Sequence, residues 1–580
     1  MQIQDSLTVA AVVAELGHRL PGARIEKIHL PTAHEMVWNL RGEGRSERLY
    51  FSIRGNFSRL HLTARRFENP AQPPMFCMLL RKHMEGSRIL RVEQLELERV
   101  VQIVTSGRDE LGDPTERALI AEITGKHANL ILLDKPWGTI MGSLRTVTAE
   151  ISRERLIMPG LPYDPPPIPR GKRDPRALQA EDLYEILGAG GTAEQALLKG
   201  VHSLSRAAIA QLLHAADLDP KVAADSLEAE QVTRLLGVWE HAFGWAARGR
   251  FCPELKRGPG WDYQVMCFGD APDAPAAVSP MLDTYYGEHE LADRMGSQRA
   301  SLMGLVRERL DKLTSRIESL EEAVQVGKEA ETLRQWGELI QAYGYGLPAH
   351  ADHLVAENYF EADLPKVSIP LDPQRSPMEN AQRYFRKYQK AKTSLETSDR
   401  FLKEAREELG YWQGVATAIQ LSETPAELAE IRSEVQPAPT GKAPSKKEPT
   451  VSEPLRYRSS DGFEILVGKN NRQNDLVTMK LARPEDWWFH TQNIPGSHVV
   501  VKAAGELPDK TREEAAMLAA YYSQARESSK VPVIYTQRRH LKKPSGAKPG
   551  FVIYEREKTL FVTPDLAAIS ELPRTERSLT

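Results

Sequence analysis

The chain has 580 residues and a formal net charge of −3. A single hydrophobic core does not support that length, so we expect roughly three to five domains of about 100 to 200 residues each. The near-neutral charge argues against a protein that is basic over its whole surface, and only local basic faces would mark a polyanionic partner.

Cysteine usage and hydropathy both bear on the compartment. The three cysteines, Cys77, Cys252 and Cys267, lie far apart in no metal-binding spacing, which predicts neither a disulfide framework nor a structural zinc. The N-terminus has no basic region before its apolar residues, and no apolar run reaches the length of about 18 residues expected of a membrane span. We therefore expect a cytoplasmic protein without a membrane partner.

Residues 1–175 mix helical and alternating patterns. A short helix is predicted from Leu7 to Leu20, followed by strands in "ARIEKIHL", "HEMVWNL" and "RLYFSIR", so an α+β domain is expected. The segment "PPMFCMLLRKHMEGSRILR" predicts a helix with an apolar face that ends in the cations Arg81, Lys82 and His83. Cations at a helix end are usually solvated or complement the helix dipole, so this cluster is weak evidence for phosphate binding.

Residues 176–290 form the next predicted domain. Within it, "LLKGVHSLSRAAIAQLL" has two short apolar helical pieces joined by a glycine turn. This pattern fits a helix-hairpin-helix whose backbone amides hold a phosphate, and it fits a plain helical hairpin equally well. The sequence leaves both interpretations open.

Residues 291–435 carry two heptad seams. One seam contains Leu310, Leu313, Ile317, Leu320 and Val324; the other contains Tyr388, Ala391, Leu395, Leu402, Ala405, Leu409 and Trp412, with Ser398 as its polar member. They flank an interruption at about 344–377. The two seams predict an antiparallel coiled-coil hairpin with a small tip.

A proline-rich segment separates this arm from the C-terminus. Residues 436–454 contain "QPAPTGKAPSKKEPT", which is typical of a linker. A compact α+β domain is expected at 455–570, with strands in "GFEILVGK", "DLVTMKLA", "VPVIYTQ", "GFVIYE" and "TLFVT" and a helix from Glu513 to Arg526.

The stretch "DWWFHTQNIPGSHVVVK" in this last domain is the most distinctive of the chain. His490 and His498 lack a third metal ligand, and Ser497 beside His498 makes a poor nucleophile–base pair because adjacent strand residues point to opposite faces. RNA is a better partner, since aromatic and imidazole rings stack on bases. Candidate RNA-binding residues are therefore Trp488, His490 and His498, with the later Arg538, Arg539, His540, Lys542, Lys543 and Lys548.

These candidates, and a charged pair in the N-terminal domain, also have purely structural explanations. One tryptophan of Trp487 and Trp488 is expected to fill the core, and the basic run also fits a solvated loop. In the N-terminal domain, Glu98 and Arg99 fit an ordinary exposed ion pair.

Five long segments make the chain similar to the NFACT family. They are "ENPAQPPMFCMLLRKHMEG", "EITGKHANLILLD", "LDPQRSPMENAQRYFRKYQKAK", "DWWFHTQNIPGSHVVVK" and "RRHLKKPSGAKPGFVIY", in that order. The resemblance covers about residues 1–570. It implies an α+β multidomain fold with a glycosylase-like NFACT-N domain, a helix-hairpin-helix domain, a coiled-coil middle domain and an NFACT-R domain.

The function implied by the resemblance is ribosome-associated quality control. Members of this family bind obstructed large ribosomal subunits that carry peptidyl-tRNA, and bacterial members recruit alanyl-tRNA and direct untemplated C-terminal alanine tails. The implied partners are ribosomal RNA, the stalk base, peptidyl-tRNA, alanyl-tRNA and a small heat-shock-type RNA-binding protein, RqcP. The ribosome makes the peptide bond, so neither an enzymatic activity nor a cofactor or metal is expected.

The resemblance also implies particular tRNA-binding residues. They fall on Glu98, Arg99, Glu122 and Ile123. Glu98 stands where the bacterial pattern usually has Asp, and Thr124 stands where Met is common. Arginine forks onto a phosphate or stacks on a base, and an acid beside it orients the guanidinium.

Three rival functions remain in view. A formamidopyrimidine-type DNA glycosylase shares the two N-terminal domains, but Gln2 and Ile3 stand where its nucleophilic Pro and adjacent Glu would be. A fibronectin-binding surface adhesin would need export without a visible signal peptide. A general RNA-binding scaffold would bind RNA broadly, without enriching one tRNA.

Overall fold

The structure is a computed structural model that describes residues 1–42, 44–108, 112–167, 171–258, 260–273, 276–348, 350–436 and 452–574. It divides into two compact units, Met1–Asp293 and Arg294–Thr580, and each unit is described by itself. Most of the predicted linker at 436–454, residues 437–451, lies outside the described residues. Sheets and long helices alternate along the chain, which confirms the predicted α+β multidomain class.

A nine-stranded antiparallel sheet organises the first unit. Its order is β4-β3-β2-β1-β5-β6-β7-β8-β9, so each strand beyond β5 pairs with its predecessor in the chain. The strands are β1 Arg24–Thr32, β2 Glu35–Arg41, β3 Ser46–Ser52, β4 Arg59–Leu62, β5 Arg88–Gln94, β6 Val100–Arg108, β7 Pro114–Glu122, β8 Asn129–Leu133 and β9 Ile140–Ser143.

Two helices pack on this sheet. Helix α1, Ser6–Arg19, begins at Asp5, whose side chain accepts a hydrogen bond from the Thr8 amide; this satisfies one of the free amides of the first turn. Helix α2, Met75–Met84, lies against β1, and its Cys77 and Leu80 are fully buried. The sheet and helices therefore share one large apolar core.

A helical region follows the sheet in the first unit. Its helices are α3 Ala180–Gly188, α4 Ala193–Gly200, α5 Arg206–Ala215 and α6 Ala229–Ala247. In the glycine turn after α4, the Val201 amide donates to the Leu197 carbonyl and the His202 amide donates to the Arg173 carbonyl. A Cβ at Gly200 would lie 2.5 Å from Ile186. These contacts favour a plain helical hairpin, because both amides already have partners.

The prediction that the cysteines form no disulfide is wrong for one pair. Cys252 and Cys267 form a disulfide, with their Cα atoms 5.0 Å apart, while Cys77 is free and buried. Between them, Glu254 and Gln264 form an antiparallel bridge with hydrogen bonds in both directions. The fold of this short loop, rather than any spacing visible in the sequence, brings the two sulfur atoms together.

Two long helices form the predicted coiled-coil region, and the first of them begins before residue 294, where the second unit starts. Helix α7, Ser279–Lys328, and helix α9, Pro377–Leu421, carry the predicted seams, and α8, Ala330–Tyr343, follows α7. The contacts Arg309–Glu408 and Gly327–Leu395 show that α7 and α9 run antiparallel. A two-stranded sheet lies between them in the chain, formed by β10 His353–Glu357 and β11 Lys366–Pro370.

The C-terminal domain contains a six-stranded sheet in the order β12-β13-β15-β14-β16-β19 and a small two-stranded sheet, β17-β18. The strands are β12 Leu455–Arg458, β13 Glu464–Val467, β14 Trp487–Thr491, β15 Val499–Val501, β16 Val531–Gln537, β17 Leu541–Lys542, β18 Ile553–Tyr554 and β19 Lys558–Val562. The helices of this domain are α11 Asn471–Asp475, α12 Asp509–Tyr521 and α13 Leu566–Glu571, whereas α10, Pro425–Val435, precedes the domain and packs with α7 and α9.

The predicted strand in "DLVTMKLA" is wrong. Leu476–Leu481 forms a π-helical turn that continues α11. The side chain of Asn470 caps α11 by accepting from the Gln473 amide, so the segment begins as a helix. Alternating apolar residues alone cannot distinguish a short strand from a short buried helix.

Candidate nucleic-acid interfaces

Glu98 and Arg99 lie in the turn that joins β5 to β6. The turn is held by the Gln94 side-chain amide, which donates to the Glu98 carbonyl at 2.7 Å. The Ile123 amide donates to the Arg99 carbonyl at 2.7 Å, which extends the β6–β7 ladder by one residue. The sheet therefore brings the two implied tRNA-binding segments, 98–99 and 122–123, to the same edge.

The Glu98 carboxylate has a defined partner. It accepts a hydrogen bond of 2.6 Å from the Ser203 hydroxyl, and its oxygen lies 3.8 Å from the His202 ring. Ser203 has φ +64, in the left-handed region, where a non-glycine residue is uncommon. Glu98 is thus tied to the turn between α4 and α5, and its second oxygen points to no described donor.

The Arg99 guanidinium differs from the Glu98 carboxylate in its partners. Arg99 is half-buried, yet among the residues that the structure describes its side chain has no hydrogen bond, ion pair or ring contact. A half-buried arginine without an internal partner retains all its donors for an external acceptor. The ordinary Glu98–Arg99 ion pair that composition allows does not form.

Glu122 and Ile123 are buried. Glu122 accepts from Arg155 Nη1 at 3.0 Å and from the Tyr163 hydroxyl at 2.8 Å, and the Arg155 guanidinium lies 5.3 Å from the Tyr163 ring centre. Burial acts to lower the pKa of Arg155, but the hydrogen bond and charge of Glu122 raise it overall. Glu122 is therefore held by Arg155 and Tyr163, and the side chains of Glu122 and Ile123 both lie inside the fold.

Residues after Ile123 add exposed cations that sequence reasoning did not single out. Lys126 and His127 are exposed, and the Gly125 amide donates to the Ser58 hydroxyl at 3.2 Å. Arg145 donates to the Lys126 carbonyl at 3.0 Å. Both cations lie within the quoted motif "EITGKHANLILLD", so the motif itself was the signal that could have identified them.

The basic end of α2 is mainly structural. Arg81 Nε donates to the Ile28 carbonyl of β1 at 2.9 Å and lies 3.6 Å from Glu85. The His83 carbonyl accepts from Arg117 at 3.2 Å. Lys82 is exposed and His83 half-buried. Only Lys82 of the three therefore presents its side chain mainly to solvent.

The two tryptophans of β14 face opposite sides of the C-terminal sheet. Trp487 is half-buried and its indole nitrogen donates to the Gly505 carbonyl at 2.7 Å. Trp488 is 1% exposed and packs with Leu466, Val500 and Ile534. Trp488 is thus the core member of the pair, and no flat surface of it is open to a strand of RNA.

His498 is buried, and His490 is half-buried beside it. The His498 ring lies 2.8 Å from the Thr478 hydroxyl. Burial lowers the pKa of His490 to about 4, and burial together with the charge of His490 lowers the pKa of His498 well below its ordinary value. Both rings are neutral at neutral pH, so they offer polar edges and flat faces but no charge to a phosphate.

The basic run after β16 is largely committed to the protein. Arg538 donates to the Thr478 carbonyl and, at 3.1 Å, to the Leu541 carbonyl. The lysines have carboxylate partners: Lys542 with Glu555 at 3.1 Å, Lys543 with Asp475, and Lys548 with Glu408 at 3.5 Å. Arg539 is exposed and bonds its neighbour Gln537, and His540 is half-buried. Arg539, Lys542 and Lys548 are the exposed members of the run.

Among the described residues, no group of three or more His, Cys, Asp or Glu is arranged to hold a metal ion. Within the same part of the chain, no helix combines the length and apolar character that crossing a membrane requires.

Comparisons with known proteins cover almost the whole chain. A family model described as "NFACT N-terminal and middle domains" matches residues 5–450, and one described as "NFACT protein RNA binding domain" matches residues 454–555. The chain is 35% identical to "Rqc2 homolog RqcH" of Bacillus subtilis (strain 168), over 98% of this chain and 99% of the relative.

Further similarities extend this comparison. "Rqc2 homolog RqcH" of Streptococcus pneumoniae serotype 2 is 33% identical, over 98% of this chain and 99% of the relative. A solved structure of the C-terminal part of the fibronectin/fibrinogen-binding protein from Streptococcus suis is 32% identical, with a TM-score of 0.38, and the match covers 48% of this chain and 99% of that one.

Proposed function

The chain belongs to the NFACT family, and on that premise we propose that it is a ribosome-associated quality-control factor. It binds obstructed large ribosomal subunits that carry peptidyl-tRNA and recruits alanyl-tRNA for untemplated alanine tailing. Its similarity over nearly the full chain to proteins named as Rqc2 homologues supports this proposal. The match of residues 454–555 to an RNA-binding domain supports RNA as the partner.

The observation that carries the tRNA part of the proposal is the unpaired guanidinium of Arg99. It is half-buried at a sheet edge, beside a carboxylate that Ser203 holds in place. A partly desolvated arginine forms stronger charge-assisted hydrogen bonds to phosphate than one in open solvent. The exposed Lys126 on the neighbouring loop supplies further positive charge for a nucleic acid backbone, and the exposed His127 supplies a further hydrogen-bonding group.

Glu122 and Ile123 have an indirect role in this proposal. Glu122 fixes Arg155 and Tyr163 behind the strand edge, and the Ile123 amide holds the Arg99 backbone. They are positioning residues that keep Arg99 and Glu98 in a constant geometry. A substitution at Glu122 then reduces tRNA binding without removing any direct contact.

The long helices provide reach. Helix α7 contains 50 residues, which at 1.5 Å per residue corresponds to about 75 Å. At the turn after α8, Tyr345 is 91% exposed. A large aromatic side chain in solvent is typical of a contact residue, and we assign this tip to the stalk base of the large subunit.

The C-terminal domain contributes RNA contacts by its exposed cations, Arg539, Lys542 and Lys548. Peptide-bond formation is left to the ribosome, since the chain's part is delivery and positioning. The RqcP-like protein is the further partner that we expect on the subunit.

Fractionation of tagged protein from cells tests the proposal. The protein is expected to sediment with large subunits, and sequencing of its bound RNA is expected to show alanine tRNA enriched over other tRNAs. Absence from the large-subunit fraction contradicts the ribosomal role. Recovery of tRNAs in bulk proportions supports the general RNA-binding scaffold instead, and binding of immobilised fibronectin by surface-exposed protein supports the adhesin.

A further inference from the structure

A cleft of about 890 Å³ lies in the second unit between α9 and the C-terminal domain. One wall is formed by α9 from Asp399 to Gly414. The opposite wall is formed by β14, the loop after it, and the segment from Gly546 to Tyr554. This volume falls in the range of sites that accept a molecule the size of a nucleoside.

Four rings line the domain side of the cleft: Trp488 and His490 of β14, His498 just before β15, and Tyr554 of β18. The Trp488 and His490 rings are stacked, with centroids 5.7 Å apart and planes at 14°. His498 meets Trp488 edge-on at 5.1 Å, and Tyr554 lies 6.1 Å from Trp488. The result is a cluster of flat, uncharged faces and edges of the kind on which planar ligands stack.

One donor in this cluster has no partner. The indole nitrogen of Trp488 is buried, and no hydrogen-bond acceptor reaches it among the described residues. The indole of Trp487, one residue away, donates to the Gly505 carbonyl. Buried indole N–H groups are normally paired, and Trp488 lines the cleft, so its N–H is the donor that an acceptor on a ligand in the cleft would satisfy.

Two glycines allow the walls to approach Asn471. A Cβ at Gly550 would lie 2.8 Å from the Asn471 Oδ1 atom, and a Cβ at Gly414 of α9 would lie 3.1 Å from it. Gly550 also has φ +81, which an L side chain rarely adopts. Side chains at either position would push the walls apart, so the width of the cleft depends on glycine at both.

The charges along α9 restrict the kind of ligand that the cleft can bind. Its face toward the cleft carries the acids Asp399, Glu404, Glu407 and Glu408 and the bases Lys403 and Arg406. An acid-rich wall disfavours a phosphate beside it. A cationic side chain such as arginine would suit the acids, but a guanidinium has no acceptor for the Trp488 N–H.

We propose that this cleft binds a single unpaired nucleobase, stacked against the half-buried rings of His490 and Tyr554 and accepting a hydrogen bond from the Trp488 indole. A base is planar and uncharged, and it carries ring nitrogen or carbonyl acceptors. Its phosphates remain outside, toward the exposed Lys542 and Lys548. The inference rests on the proposed RNA-binding role of the chain and names the part of RNA that the cleft recognises.

Titration of the full-length protein with the four ribonucleosides tests the base site directly. Nucleosides lack phosphate, so binding to surface lysines does not contribute, and the affinity is expected to be insensitive to salt. Saturation-transfer NMR is expected to show contact through the base protons rather than the ribose. Absence of binding by all four nucleosides, or contact through ribose alone, overturns the proposal.

Three variants locate the binding. Trp488→Phe keeps an aromatic ring but removes the N–H, and it is expected to weaken base binding about three- to tenfold, the range of one lost hydrogen bond. The matched control Trp487→Phe, on the other face of the same strand, is expected to change affinity less than about twofold. Ala547→Phe places a ring in the cleft from a surface loop and is expected to abolish binding in a folded protein. Unchanged affinity in Trp488→Phe and Ala547→Phe overturns the proposal.

The source of the base is decided by comparing ligands. A base presented by an RNA strand predicts that a short unpaired oligoribonucleotide binds more tightly than any nucleoside and that photocrosslinks from it map to the cleft. A free nucleotide as the source predicts equal affinity for the nucleoside and the oligonucleotide. Large-subunit association, measured for Ala547→Phe, distinguishes failure of the base-site proposal from failure of the proposed function. Loss of nucleoside binding with association retained leaves the proposed function intact, whereas wild-type protein that never sediments with large subunits refutes the proposed function without affecting the nucleoside result.

Discussion

Arg155 binds both carboxylate oxygens of Glu122 at the end of β7. The Arg155 side chain is 14% exposed and that of Glu122 is 2% exposed. Two charges at this depth stabilise the fold only as a pair, because either one alone would be buried without compensation. The pair lies directly behind the edge that carries Arg99, so the proposed RNA-binding role of this edge depends on its stability.

Glu122→Ala is expected to lower the free energy of unfolding of the first unit by about 3–5 kcal/mol, since it leaves the Arg155 guanidinium buried and unpaired. The double variant Glu122→Leu with Arg155→Met removes both charges and is expected to recover most of that loss. Urea denaturation of the three proteins measures this. Equal losses in the single and double variants would show that the ion pair is not the source of the effect.

Arg99→Glu is expected to reduce tRNA recovery about tenfold or more, since it removes charge-assisted hydrogen bonds and adds repulsion toward phosphate. Large-subunit association is expected to persist. Arg24→Glu is the control, because Arg24 is exposed and lies far from Arg99 in the sheet. It stands opposite Arg88 in the strand register, and Arg88 stands opposite Ser106, at the end of β6 away from Arg99. Equal tRNA loss in both variants would indicate a nonspecific effect of charge.

Tyr345→Ala is expected to weaken large-subunit association about tenfold while leaving tRNA binding by the isolated protein unchanged, because an exposed aromatic anchor is typical of an interface hot spot. Tyr184→Ala is the matched control, since Tyr184 is 48% exposed on α3 of the first unit. Gradient sedimentation and tRNA filter binding measure the two effects. Sedimentation unaffected by Tyr345→Ala would remove the tip from the interface.

Stability is expected to fall as pH decreases from about 6.5 to about 4. Burial lowers the pKa of His490 to about 4, whereas histidine in an unfolded chain has a pKa near 6.5. In this window the unfolded chain binds a proton that the native chain does not, so up to about 3 kcal/mol of stability is lost as pH falls.

The His490→Gln variant isolates the contribution of this residue. Its unfolding free energy is expected to depend less steeply on pH between 4 and 6.5 than that of the wild type. The comparison is needed because burial also lowers the pKa of His61, in the first unit, to about 4, and lowers that of His498. Identical pH profiles for the variant and the wild type would show that His490 is not kept neutral by burial.

Alkylation of denatured, unreduced protein is expected to modify one cysteine, Cys77. Alkylation of denatured protein after reduction is expected to modify all three cysteines. Reduction is expected to destabilise the first unit by about 3 kcal/mol, the value for closing a loop of about 15 residues. Cys77→Ala retains the disulfide and is the control for alkylation. Three modified cysteines in unreduced protein, purified without reductant, would contradict the disulfide.

Much of the fold follows from local patterns. The periodicity of the sequence predicts α1 from Leu7 to Leu20 and the structure has Ser6–Arg19; "VPVIYTQ" is β16 without change. The antiparallel order of α7 and α9 follows from two seams around an interruption. Such features depend on residues three, four or two positions apart, which the chain itself brings together.

Other features escaped prediction for a physical reason. The helical turn at Leu476–Leu481 has the same alternating apolar residues as a strand, and its helix begins because Asn470 caps it. The Cys252–Cys267 pair is decided by the fold of the intervening loop. In each case competing local structures have similar intrinsic free energies, and packing selects one of them.

The sequence by itself determined the family, the segments that carry candidate RNA contacts, and the expectation that one tryptophan of the β14 pair is buried. The tertiary structure decided which residues face outward. It places Trp488, His498, Glu122 and Ile123 inside, and it leaves His490 half-buried and Arg99 unpaired at the sheet edge. Strand register and packing set side-chain burial, and both depend on residues distant in the chain, so no motif could show which groups remain free to bind.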